Sequence, residues 1–184
     1  KQSHFKSNDE KVEIKKIKKQ ATEKRIYNIK DYVVYPKHGV GKIISINKAK
    51  IGEIDINFYN VLIEKEKLTL SIPLNQQSHL RPVSSINQIN KAITILKSKP
   101  RIKRTMWSRR AQEYEEKILS GNLVLIAEVL KELYKKDTFD EASFSEKQIY
   151  ASALDRLARE LAAMKKLDKE AAAKELENIL KSAA

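Results

Sequence analysis

A chain of 184 residues, 41% hydrophobic and 33% charged, has room for one ordinary domain or two small ones with modest cores. It contains no cysteine, which excludes disulfides, thiolate metal sites and cysteine nucleophiles, and no apolar run of about 18 residues, which excludes a transmembrane helix. A net charge of +13 draws polyanions, nucleic acid first among them, yet lysine-rich coding alone also raises charge, so its placement has to decide.

Residues 1–25 carry nine basic and four acidic side chains with no sustained apolar period, which predicts a flexible basic tail. A short helix that orders on an acidic partner is the alternative. The first sixteen residues lack the apolar core of a secretory signal, so the expected location is cytoplasmic. From residue 29 the chain turns to β-branched and aromatic residues. Val33, Val34 and Tyr35 lead into a Pro36-Lys37-His38-Gly39 turn, and Val40, Ile43, Ile44 and Ile46 lead out. Gly39 and Gly41 allow either positive φ or a close pass between bent strands. After a turn at Gly52, "IDINFYNVLIE" and "KLTLSIPL" follow. The second alternates, Leu68, Leu70 and Ile72 against Lys67, Thr69 and Ser71. Four or five short strands over residues 26–83 predict a small, strongly bent antiparallel barrel.

From about Ser84 the period becomes helical, with Ile86, Ile89, Ile93 and Leu96 on one face until Lys99-Pro100. A second helix runs from about Trp107 to Leu119 and stops before Gly121, a C-terminal left-handed position. A third covers about 123–136, on the stripe Leu123, Ile126, Ala127, Leu130, Leu133 and Tyr134. Ser143 and Glu146 form a capping box for a fourth, to about Lys166, with Ile149, Tyr150, Ala153, Leu157 and Leu161 inward. Asp168 caps a last helix carrying Leu176, Ile179 and Leu180. The expected fold class is α+β in two domains, the barrel followed by an all-helical domain of about five helices over 84–184.

No constellation demands catalysis, a cofactor or a metal. His4, His38 and His79 lie in a tail, a turn and a loop without partners at ligand spacing. "HGVGK" lacks the glycine spacing and the Ser or Thr of a phosphate loop, and it sits between strands rather than before a helix.

The charge concentrates in "KSKPRIKRTMWSRR", residues 97–110: Lys97, Lys99, Arg101, Lys103, Arg104, Arg109 and Arg110, with no acid and the chain's one tryptophan. Phosphate contacts from such a cluster supply affinity without sequence information, and four arginines favour them over a merely solvated linker. Trp107 is either an anchor packed on the helical core or a projecting aromatic. With Thr105 or Ser108 as cap it sits at an anion-favouring helix end, where an indole can wedge into a groove or stack on an unpaired base. A general RNA-binding or DNA-architectural protein is the alternative; it needs aromatics on the sheet surface, for which Tyr32, Tyr35, Phe58 and Tyr59 are the candidates.

"DYVVYPKHGVGKI" resembles the opening of the CarD/CdnL family of bacterial transcription regulators. "MWSRRAQEYEEKILSGNLVLIAEVLKELYKKD" and "SFSEKQIYASALDRLARELA" resemble its helical domain, and together they span about 29–165. The resemblance implies a Tudor-like domain that docks on the RNA polymerase β subunit, partly through an exposed sheet edge. It also implies a helical domain that contacts promoter DNA at the upstream edge of the bubble and stabilises the open complex, with no enzymatic turnover. Trp107 would be the minor-groove wedge, Arg109 and Arg110 its adjoining basic positions, and Arg101, Lys103 and Arg104 further DNA contacts. Where family members often carry an arginine in the strand "LTLSIP", this chain has Ser71. The polymerase contacts expected here are Ser71 and Thr69 with Lys67, Lys48 and Lys50.

Overall fold

The structure, a computed structural model, describes residues 24–99, 105–134 and 143–183. The β-branched stretch forms β1 (Tyr32–Tyr35), β2 (Gly39–Ile51), β3 (Ile54–Ile63), β4 (Leu68–Pro73) and β5 (Arg81–Pro82), with a 3-10 turn over Leu74–His79. Neighbours run β4-β3-β2-β1-β5, all antiparallel. The expected barrel is thus a curled sheet that stays open among the described residues, because its end strands β4 and β5 do not pair. Two strands are also longer than expected, thirteen residues for β2 and ten for β3. They bend at a register shift between Ile43 and Ser45. Gly41 permits that bend: a Cβ there would fall 2.5 Å from Val61 Cγ1 and 2.7 Å from Ile63 Cδ1.

Val33, Ile43, Tyr59, Val61 and Ile63 fill the concave face. Tyr27 meets Tyr59 edge-on at 6.0 Å. The Tyr59 hydroxyl donates to Gln77 Oε1 at 3.0 Å and accepts from the Ile26 amide at 3.2 Å, so the chain around Tyr27 is strapped across the sheet end. The basic tail expected over 1–25 lies, up to residue 23, outside the described residues.

Five α-helices follow among the described residues: α1 (Ile86–Lys97), α2 (Trp107–Leu119), α3 (Leu123–Leu133), α4 (Phe144–Lys165) and α5 (Lys169–Ala183). Three of the starts follow side-chain capping. Ser85 accepts from the Gln88 amide, Asn122 from those of Val124 and Leu125, and Ser143 from that of Glu146. The apolar stripes converge on one core that includes Leu96, Tyr114, Leu130, Ala153 and Leu157, and α5 seals it with Ala172, Leu176 and Leu180.

Two polar clamps join sheet and helices. Arg81 of β5 forms a two-pronged ion pair with Glu160 of α4, at 2.6 and 3.0 Å, and Nη2 also donates to the Gly121 carbonyl at 2.8 Å. The Ser84 amide and hydroxyl donate to the same carboxylate at 2.9 and 2.6 Å. One helical turn earlier, the Arg156 guanidinium donates to the carbonyls of Pro36, Lys37 and Ile118, tying the β1–β2 turn to the end of α2.

Asp155 stands beside this seam with Lys65 at 3.3 Å, Arg159 at 3.0 Å, and Lys169. Burial raises its pKa, but the three cations more than offset that and hold the carboxyl below its ordinary 3.8. A depressed folded-state pKa contributes stability above the unfolded value and loses it as pH falls through the folded one. Denaturation midpoints should therefore begin to drop once pH falls below the ordinary carboxylate value of about 4, and go on dropping towards the lower folded-state value. Asp155→Asn should flatten that limb, and an unchanged limb would show that other carboxylates govern it.

Candidate nucleic-acid interface and sheet edge

Helix α2 begins at Trp107, and the residue in the cap position is Met106, whose side chain makes no capping bond. Neither Thr105 nor Ser108 caps. The amides of Arg109 and Arg110 reach back to the Met106 carbonyl at 3.2 and 3.1 Å, and the first turn holds no acid. The positive end of the helix dipole is therefore unopposed by its own sequence. Met106 itself is 78% exposed. A thioether where Ser, Thr, Asp or Asn would stabilise the helix by about 1 kcal/mol is an apolar projection held at a stability cost.

Of the two fates weighed for Trp107, the structure shows the core contact in part. Trp107 is half-buried against the helical core, its ring 6.3 Å from that of Tyr114 and tilted by 52°. The Arg110 guanidinium lies 5.7 Å from the Trp107 ring centre and 5.6 Å from that of Tyr114, and Nη2 donates to the Tyr114 hydroxyl at 3.0 Å. Tyr114 is wholly buried. Burial raises its pKa; the Arg110 bond lowers it, and its hydrogen bond to the Glu132 carboxylate of α3 raises it. Arg109, by contrast, is exposed, as are Lys97 and Lys99 at the end of α1. Arg101, Lys103 and Arg104 lie outside the described residues.

The second surface is the outer edge of β4, which has β3 on one side and, among the described residues, no strand on the other. Thr69 pairs with Leu62 and Ser71 with Asn60. Ser71 Oγ donates to Asn60 Oδ1 at 3.0 Å, and Asn60 Nδ2 donates to Ser45 Oγ at 2.8 Å, a polar ladder across three strands. Lys67 enters the strand from a turn with φ of 50°. Lys48 and Lys50 do not join this group. Their register partners are Asn57 and Asp55, beyond the end of β4. Strand alternation puts them on the face of Ile46 and Tyr59, opposite Thr69 and Ser71. Of the residues expected to contact polymerase, Thr69 and Ser71 thus lie on one face of the sheet and Lys48 and Lys50 on the other.

The aromatic platform required by a general RNA-binding protein is incomplete. Tyr59 is fully buried, Tyr35 and Phe58 are half-buried, and Tyr32 is exposed beneath Lys42, whose Nζ lies 5.6 Å from the ring centre. Among the described residues no cluster of three or more His, Asp or Glu side chains could hold a metal ion. His38 bonds through Nδ1 to Glu66 at 2.8 Å, across the turns of the sheet. No described helix is long and apolar enough to cross a membrane.

Sequence reasoning passed over Tyr114 and Glu132, the inner members of the Trp107 assembly. The signal for Tyr114 was present: Trp107, Arg110 and Tyr114 are spaced three and four apart and so share one helix face.

Comparison with known proteins follows the same division. The family described as CarD, C-terminal domain, matches residues 91–177, and the family described as CarD-like/TRCF RID domain matches 27–84. The chain is 27% identical over 142 residues to YdeB of Bacillus subtilis (strain 168), a protein provisionally named as a transcription factor, covering 76% of this chain and 93% of that one. The Tudor-like sheet and the helical domain together define a two-domain α+β transcription regulator. The chain belongs to the CarD/CdnL family.

Proposed function

We propose that the protein bridges RNA polymerase and promoter DNA in the cytoplasm and stabilises the open complex without chemical turnover. The β4 edge, with Thr69, Ser71 and Lys67, docks on the polymerase β subunit by strand addition, in which backbone pairing supplies affinity and side chains supply choice. Trp107 meets the DNA at the upstream edge of the bubble, where partly unstacked bases make an aromatic contact cheapest. Arg109, with Arg101, Lys103 and Arg104, supplies phosphate contacts. Lys48 and Lys50, on the other face, contact polymerase only if it wraps the tip of the β2–β3 hairpin.

The observation that carries this reading is Trp107 at the uncapped, positive start of α2, in a helical domain clamped to an open-edged sheet. Tethering through polymerase makes the DNA contact intramolecular, so weak affinity for free DNA is enough. A preference for open over closed promoter shifts that equilibrium tenfold for each 1.4 kcal/mol or so. The test is open-complex lifetime with purified polymerase. Trp107→Ala should shorten it about tenfold, given base-stacking contributions of about 1–3 kcal/mol, while polymerase capture after nuclease treatment stays intact. A folded variant with unchanged lifetime would remove Trp107 from the mechanism.

A further inference from the structure

Arginine grips phosphate two-pronged, using Nη2 together with either Nε or Nη1. In Arg110 the side-on pair, Nε with Nη2, is not to spare. Its Nη2 donates inward to Tyr114 at 3.0 Å, and its Nε is buried without a partner among the described residues. Its guanidinium carbon lies beside the two tilted rings, 5.7 Å from the Trp107 ring centre and 5.6 Å from that of Tyr114, within cation–π range of both. We infer that Arg110 is a positioning residue, bracing the Trp107 indole for nucleic acid instead of contacting phosphate itself.

The brace has a fixed end. Tyr114 is buried in the helical core, and its hydroxyl links the Arg110 guanidinium to the Glu132 carboxylate on α3. Cation, phenol and carboxylate thus form one chain from α2 into α3, with the indole against its outer member. An indole anchored this way meets a base step with less rotamer freedom left to lose. The exposed Arg109 next to it has no such ties among the bonds described and remains the phosphate contact.

The inference rests on the proposed role of Trp107, but its first readout does not involve DNA. Trp107 is the chain's one tryptophan, so acrylamide quenching and anisotropy of the free protein report on it alone. Arg110→Gln and Arg110→Lys should each raise quenching about twofold, because neither side chain can stack on the indole and donate to Tyr114 together. On a forked duplex of synthetic DNA, both should weaken binding about tenfold, equal to 1.4 kcal/mol. The slope of log affinity against log salt should stay at its wild-type value. Arg109→Gln should instead lower that slope by about 0.9, as loss of one phosphate contact does. Unchanged quenching, a slope reduced by the same amount in Arg110→Gln, and recovery of affinity in Arg110→Lys would make Arg110 a phosphate contact and overturn the inference. Melting curves separate a folding defect from these effects, and Tyr114→Phe, which keeps the ring and removes only the hydroxyl, should give a smaller rise in quenching. If Trp107→Ala binds the fork as well as wild type, the proposed DNA role fails while the quenching result still decides whether Arg110 braces the ring.

Discussion

Glu160→Ala should destabilise the protein by about 3–5 kcal/mol, the range for removing one member of a buried ion pair. The Glu160 side chain is 3% exposed, and it accepts four hydrogen bonds, two from Arg81 and two from Ser84. Alanine strands a partly buried guanidinium together with a buried amide and hydroxyl, and each loses its acceptor where water has poor access. The denaturant midpoint should fall with little change in slope if sheet and helices still unfold together. The double replacement Arg81→Met with Glu160→Met should recover much of the loss, because removing both partners leaves no orphaned charge. A single variant within 1 kcal/mol or so of wild type would mean that solvent already satisfies Arg81 at the seam. The functional consequence follows from tethering: a loosened seam lowers the effective concentration of the Trp107 surface at DNA while leaving both surfaces chemically intact.

That seam is the part of the molecule least legible in the sequence. Arg81 and Glu160 are 79 residues apart and neither sits in a recognisable local pattern. Local signals fared well by comparison. Ser143 marks a helix start through a bond made within three residues, and Gly121 marks a helix end through its own backbone preference. Trp107–Leu119 is accordingly helical over the expected span. The sheet was harder because alternation within one strand says nothing about which face its neighbour shares. The register shift between Ile43 and Ser45 sets how β2 faces pair with β3, and so puts Lys48 and Lys50 opposite Thr69 and Ser71. Barrel closure was over-read for a similar reason, since closure depends on whether β5, two residues long, can reach β4. At the DNA-facing surface the cluster of charge was plain, but the inward turn of Arg110 depends on Tyr114 being buried, a tertiary fact.

Gly121→Ala should cost about 2–5 kcal/mol, for two separable reasons. Its φ is +68°, a left-handed conformation that costs a residue with a Cβ about 1–2 kcal/mol. The added Cβ would also fall 2.7 Å from Pro36 Cα and 2.9 Å from Pro36 Cβ, inside the seam itself. Relief requires the β1–β2 turn to back away from the end of α2, which strains the bonds from Arg156 to Pro36 and Lys37 and from Arg81 to the Gly121 carbonyl. Gly52 supplies the control: its φ is +65°, and a Cβ there would meet nothing within 4 Å. Gly52→Ala therefore measures the backbone cost alone, about 1–2 kcal/mol. The excess at Gly121 measures the packing of sheet against helices, expected at about 1–3 kcal/mol for an overpacked contact. Equal losses at the two positions would mean that the turn yields freely and that the ion pairs alone hold the domains in register.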